Sequence, residues 1–237
     1  MGASHPIVHQ LREEGPSLSV GLISADLMAL GADVARLEQS GVVLAHFDVL
    51  DGCYAPMLTV GPPFIKAVKT KMLKDVHLMV REPLASLGDY VAAGADIVTI
   101  HPDACTHPHR VLQALGNMNS ARDPSRNIAR GVALNPGTPL EVLRALLGEA
   151  ELVMLLAINP GWGGQKFIAA TLDRIETVNA MVSESGRDIL VAVDGGITRQ
   201  NIGQLAGLGV DMVVTGSAVF DGDIAANVAQ MSAALRG

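Results

Sequence analysis

The sequence predicts an α/β protein, a (β/α)8 TIM barrel, on three observations. Short apolar, β-branched runs recur at even spacing along the 237 residues, segments of helical periodicity separate them, and polar residues gather where the runs end. Runs that are apolar throughout belong to parallel strands covered on both faces. Eight such runs close a barrel of the usual size, and a doubly wound sheet is the structural alternative.

The strands fall near 18–23, 42–48, 74–79, 96–101, 128–134, 152–158, 189–193 and 211–215. Between them, Asp33 to Gln39 carries Val34 and Leu37 three apart, Pro83 to Ala93 carries Leu84, Leu87 and Val91, and Pro139 to Leu147 carries Leu140, Leu143 and Leu147. These spacings put apolar side chains on one helical face. Gly41, Gly94 and Gly209 each stand just before a strand, as expected of the left-handed residue that ends a helix.

With 49% hydrophobic residues the chain can bury a large core. No Ser/Gly-rich linker or charge block divides it, so residues 1–237 read as a single barrel domain with 1–16 as an N-terminal extension. A net charge of -7, with 17 Lys and Arg dispersed along the chain, provides no basic stripe for a nucleic-acid backbone. One Trp, two Tyr and four Phe are too few for a base-stacking platform. The expected partner is a small molecule, and a phosphorylated one is compatible because backbone amides can hold phosphate inside an acidic protein.

Cys53 and Cys105 form neither a metal motif nor a disulfide framework and read as reduced. The N-terminus has no apolar leader, and no run reaches the roughly 18 apolar residues of a membrane span. His5-Pro6 stands where a myristoylation signal beginning at Gly2 wants Ser or Thr. A cytoplasmic protein with no membrane or nucleic-acid partner is the expectation, and its apolar faces point to a homo-oligomer.

A barrel carries its chemistry at the C-terminal ends of its strands. His46 and Asp48 end strand 2, His77 lies near the end of strand 3, His101 ends strand 4, Asn135 and Asn159 follow strands 5 and 6, and Asp194 ends strand 7. His46 and Asp48 are two apart, so both face the interior while Phe47 faces away. With His77 and Asp194 they make a two-His, two-Asp set suited to zinc, iron, manganese or cobalt. Alone, each has an ordinary reading: a strand-end hydrogen-bond pair, a rim histidine, or an Asp capping the Gly-Gly turn that follows it.

Gly163-Gly164, Gly195-Gly196 and Gly216-Ser217 follow three consecutive strands and would let backbone amides converge on one phosphate; tight turns are the alternative use of such pairs. Asn159 to Gln165 holds the only Trp and reads as a lid over the mouth, or else Trp162 is a buried anchor.

Five collinear motifs, H-F-D-V-L-D-G at 46–52, H-L-M-V at 77–80, N-P-G-W-G-G-Q at 159–165, V-D-G-G-I at 193–197 and G-S-A-V-F at 216–220, resemble the ribulose-phosphate 3-epimerase family from about Ser17 to Met231. The resemblance implies a barrel of the ribulose-phosphate-binding type with one divalent metal per subunit on His46, Asp48, His77 and Asp194. It implies Asp48 and Asp194 as the two acid/base groups that invert C3 of a phosphorylated ketose through an enediolate, by default D-ribulose 5-phosphate to D-xylulose 5-phosphate. It places the substrate and its phosphate on Met79, Gly163, Gly164, Gly196, Gly216 and Ser217.

The sequence departs from that pattern. Val20-Gly21 stands where most members have Pro-Ser, Leu50 and Leu156 stand where Met is usual, and Cys53 takes a position that is often His. Preserved ligands with altered surroundings suggest the same chemistry on another ketose phosphate, such as allulose 6-phosphate. A non-catalytic sugar-phosphate-binding barrel is the reading from a different class. His101, Asp103 and Cys53 are left outside the expected site.

Overall fold

The computed structural model describes residues 4–237; the reading at Gly2 and the first three residues of the 1–16 extension lie outside them. Eight parallel strands close a barrel in sequence order: β1 Ser17–Gly21, β2 Leu44–Leu50, β3 Leu73–Met79, β4 Ile97–Ile100, β5 Ala129–Leu134, β6 Leu152–Leu156, β7 Leu190–Asp194 and β8 Met212–Thr215. The α-helices are α1 Pro6–Glu14, α2 Leu30–Gln39, α3 Pro62–Ala67, α4 Leu87–Ala92, α5 Pro108–Gly116, α6 Thr171–Ser185, α7 Ser217–Phe220 and α8 Ile224–Arg236. The closed strand order excludes the doubly wound alternative.

Strand alternation sorts two cores. Ala45, Phe47, Val49, Val76, Leu78, Val98, Val153 and Val191 point outward under the helices, which is why the runs look apolar throughout. Inside, Leu44, Ile97, Ala129, Leu152, Leu190 and Met212 form a separate cluster near the strand starts, and Ile7, Val8 and Leu11 of α1 pack against it. The stretch expected only as an extension therefore contains a helix that covers the N-terminal end of the barrel. Arg12 pins it there through Asp188, Asp211 and the carbonyl of Ile189. With that end filled, the inward residues higher on the strands face the C-terminal mouth.

Gly41 and Gly94, with φ of +79° and +97°, follow the ends of α2 and α4 as expected, whereas Gly209, φ +71°, closes a turn four residues beyond the 3-10 helix Ile202–Leu205. Two helical expectations change form. Residues 83–93 split into a 3-10 turn, Pro83–Ala85, followed by α4. Pro139 to Leu147 contains a 3-10 helix, Leu140–Ala145, rather than an α-helix. Leu140, Leu143 and Leu146 are all buried, and a spacing of three lines up on a helix with three residues per turn.

Candidate active site

β2 lies in register beside β3, pairing His46 with Asp75, Asp48 with His77 and Leu50 with Met79. Period-two alternation turns all six inward, stacking two ionisable pairs above the apolar floor. Asp194 arrives from the last residue of β7. His46, Asp48, His77 and Asp194 each offer one donor atom, and the four atoms lie within 4.8 Å of one another. The histidines are fully buried, whereas the carboxylates reach a cavity of about 730 Å³ at the strand ends.

Their electrostatics call for positive charge. Burial opposes protonation of His46, but the carboxylates of Asp75 and Asp48 outweigh it and raise its pKa well above the ordinary value. For His77, burial is likewise outweighed by Asp194 and Asp48, and the pKa is raised. Burial pushes the Asp48 carboxyl up, yet His46 and His77 hold it far below the usual carboxylate range. The Nδ1 atom of His77 is buried with no hydrogen-bond partner, and it lies 3.5 Å from both Asp48 Oδ1 and Asp194 Oδ2. Two imidazole nitrogens and two carboxylate oxygens meeting at one largely buried point make a donor set that fits a divalent ion.

Met79, Gly163, Gly164, Gly196, Gly216 and Ser217 all line the same cavity, as do Gly21, Ser24, Leu50, Leu156 and Lys166. Gly196 has φ +68°, and a Cβ there would lie 2.8 Å from the backbone nitrogen of Phe167; a Cβ at Gly216 would lie 2.4 Å from Ser24 Oγ. Close approach disfavours a side chain at both positions, and the positive φ adds a backbone requirement at Gly196 alone. Trp162 is 59% exposed, which rules out the buried anchor. Gln165 ties its loop together through hydrogen bonds with the backbone of Asn159 and Trp162.

Other candidates fall outside this cluster. Asn135 donates to Tyr54 Oη at 2.6 Å and to Asp103 at 2.9 Å on the rim. Cys53 is exposed, Cys105 is half-buried, and both are free; burial raises the Cys105 thiol to about 12. Two buried groups outside the expected site touch the histidines: Asp75, which sequence reasoning missed and which accepts from His46 at 2.6 Å, and His101, which it placed at the end of strand 4 but left out and whose Nε2 is 2.8 Å from that of His77. Asp75 had a usable signal, since it is two residues from His77 and shares its face.

A (β/α)8 barrel with two carboxylates and two imidazoles converging on a cavity at its C-terminal mouth has the layout of a barrel enzyme. The chain belongs to the ribulose-phosphate 3-epimerase family, whose model matches residues 17–220, and it is thereby an isomerase. It is 40% identical over 207 residues to the ribulose-phosphate 3-epimerase of Escherichia coli K12, covering 86% of this chain and 88% of that protein. It is 38% identical to the Bacillus subtilis protein of that name, covering 84% and 89%. Among solved structures, 3-hexulose-6-phosphate synthase from Salmonella typhimurium superposes with a TM-score of 0.66 at 20% identity, covering 92% of this chain and 98% of that one. Phosphoribosyl anthranilate isomerase from Thermus thermophilus gives 0.60 at 16%, with 92% and 98% coverage. Both share the fold. Among the described residues no helix is long and apolar enough to cross a membrane.

Proposed function

We propose that this chain inverts C3 of a phosphorylated ketose in a metal-dependent reaction, by default D-ribulose 5-phosphate to D-xylulose 5-phosphate. The observation that carries the reading is the convergence of Asp48 and Asp194 on one cavity, with His46 and His77 completing the donor set. Relatives named ribulose-phosphate 3-epimerase support the substrate.

His46, Asp48, His77 and Asp194 would hold one zinc, iron, manganese or cobalt ion. Bound there, the ion supplies Lewis-acid stabilisation for the negative charge that develops when a proton leaves the carbon beside a carbonyl. Asp48 and Asp194 stand on β2 and β7, separated around the barrel by β1 and β8. A sugar seated between them presents one face of C3 to each carboxyl. The ionised carboxylate takes the C3 proton, and the protonated partner returns one to the opposite face. The roles exchange when the reaction runs backward.

Backbone N–H groups at Gly163, Gly164, Gly196, Gly216 and Ser217 receive the phosphate, and Met79 lines the cavity beneath the sugar. The Trp162 loop excludes water when substrate is in place. Residues 1–237 serve as one catalytic domain. Exposed Leu27, Met28 and Leu58 on the loops after β1 and β2 favour a homo-oligomer.

One observation favours a second substrate of the same class. Gly21 has ordinary extended angles, φ -69° and ψ 103°, so the backbone does not require glycine there. A Cβ at Gly21 would lie 3.8 Å from Asp48 Oδ2, which means that its absence leaves room beside a reacting group for a different ketose phosphate, such as allulose 6-phosphate.

Metal-loaded protein in D2O, followed by NMR with each sugar phosphate, tests the reading. Deuteration at C3 of ribulose 5-phosphate with formation of xylulose 5-phosphate is the expected result. Faster exchange on allulose 6-phosphate would move the assignment to the second substrate, and tight binding of both without exchange would replace the enzyme by a sugar-phosphate-binding barrel.

A further inference from the structure

His77 has a neighbour that the proposed reaction does not use. Its Nε2 atom lies 2.8 Å from Nε2 of His101, and the two rings stack with centroids 5.0 Å apart and planes 22° from parallel. Both side chains are fully buried. Two imidazole nitrogens at this separation share one hydrogen: one donates, and the other must carry a lone pair.

The remaining nitrogens decide which. His77 Nδ1 is the atom aimed at Asp48 and Asp194 without a hydrogen-bond partner. If Nδ1 presents its lone pair to a cation, the ring hydrogen sits on Nε2 and His101 Nε2 accepts it. The hydrogen of His101 then lies on Nδ1, which is buried without a hydrogen-bond partner and faces Asp103 Oδ1 at 3.8 Å. Asp103 is itself held by Tyr54 Oη at 2.8 Å, Asn135 Nδ2 at 2.9 Å and Thr138 Oγ1 at 3.2 Å. The Tyr54 ring packs 5.0 Å from that of His101. One proton arrangement is therefore consistent from the rim to the site. The reverse arrangement would put a hydrogen on His77 Nδ1 and leave a purely structural pair.

His46 shows the opposite polarity. It donates from Nδ1 to Asp75 and turns Nε2 toward Asp48 Oδ1 at 3.2 Å. The two histidines thus present different ring nitrogens, one backed by a carboxylate and the other by a neutral imidazole.

We infer that His101 is a positioning residue: it accepts the Nε2 hydrogen of His77 and so holds that ring in the tautomer whose Nδ1 faces the cation, an inference that rests on the metal reading above. His101 does not line the cavity. Its effect is on metal affinity, through the orientation and tautomer of a ligand.

Two measurements test this. In zinc-loaded protein labelled with 15N-histidine, long-range 1H–15N correlation is expected to show His77 protonated on Nε2 and His46 protonated on Nδ1; a hydrogen on His77 Nδ1 overturns the inference. In chelator competition with Co2+, His101→Phe is expected to weaken affinity about tenfold to a hundredfold, and His101→Gln, which keeps an acceptor, to recover most of it. A folded His101→Phe protein with unchanged Co2+ affinity overturns the inference while leaving the metal site in place. Failure of the unaltered chain to bind Co2+ or Zn2+ overturns the metal reading itself, and this inference with it.

Discussion

The Nδ1–H of His46 donates to Oδ2 of Asp75 across 2.6 Å, with both side chains fully shielded from solvent. Ser19 Oγ donates to the same oxygen at 2.8 Å. A buried carboxylate behind an imidazole sets its tautomer and raises its basicity toward whatever the other nitrogen faces.

Asp75→Asn preserves the shape and an acceptor oxygen but removes the charge. It is expected to lower Co2+ affinity about tenfold to a hundredfold, measured by chelator competition with metal-free protein. Unchanged affinity would show that the Asp75 charge does not reach the site.

Each face of C3 needs its own proton carrier. Asp48→Asn and Asp194→Asn should each reduce turnover by about 10²-fold to 10⁴-fold or more, and loss of C3 deuterium exchange in D2O is the readout. Both residues also belong to the proposed metal site, so metal content is determined on the same samples. Either variant turning over at near the wild-type rate with full metal occupancy would refute the two-carboxylate mechanism.

Gly21→Ser adds a side chain where a Cβ meets nothing nearer than 3.8 Å. It should fold normally and raise kcat/KM on ribulose 5-phosphate, because the hydroxyl enters the cavity beside Asp48. Steady-state kinetics on both ketose phosphates checks this, and an unchanged preference would remove Gly21 as a specificity determinant.

Lys74 is buried at the other end of β3 from Met79, with its ammonium donating to the Ile65 carbonyl. Burial, reinforced by Arg122 and Lys69, lowers its pKa from 10.5 to about 8. Between those values the unfolded chain binds the extra proton, so this residue's contribution to stability rises with pH across that window and is least favourable below it. Lys74→Met should remove that dependence. In paired thermal melts, the Tm of wild type relative to the variant should climb from pH 8 to pH 10, and a constant difference would contradict the buried-ammonium account.

Much of this protein is legible along the chain because its information is periodic. The β-branched runs mark all eight strands to within about two residues, and alternation alone turns His46 and Asp48 to one face and Phe47 to the other. The glycines at 41 and 94 could be placed because a left-handed residue is a local requirement. The 3-10 form of Leu140–Ala145 was less accessible: spacings of three and four coexist there, and packing on the barrel selects among them.

The sequence by itself determined the barrel, the mouth at which its polar strand ends collect, and the four residues whose donor atoms converge there. Only the tertiary structure decided which nitrogen each histidine turns inward, that Asp75 and His101 stand behind them, and that α1 covers the opposite end. Those outcomes depend on contacts between side chains 29 and 24 residues apart and on a helix meeting the interior ends of strands distributed along the whole chain. Periodicity tells a side chain which face it occupies, whereas closure of the barrel chooses the neighbour it meets there.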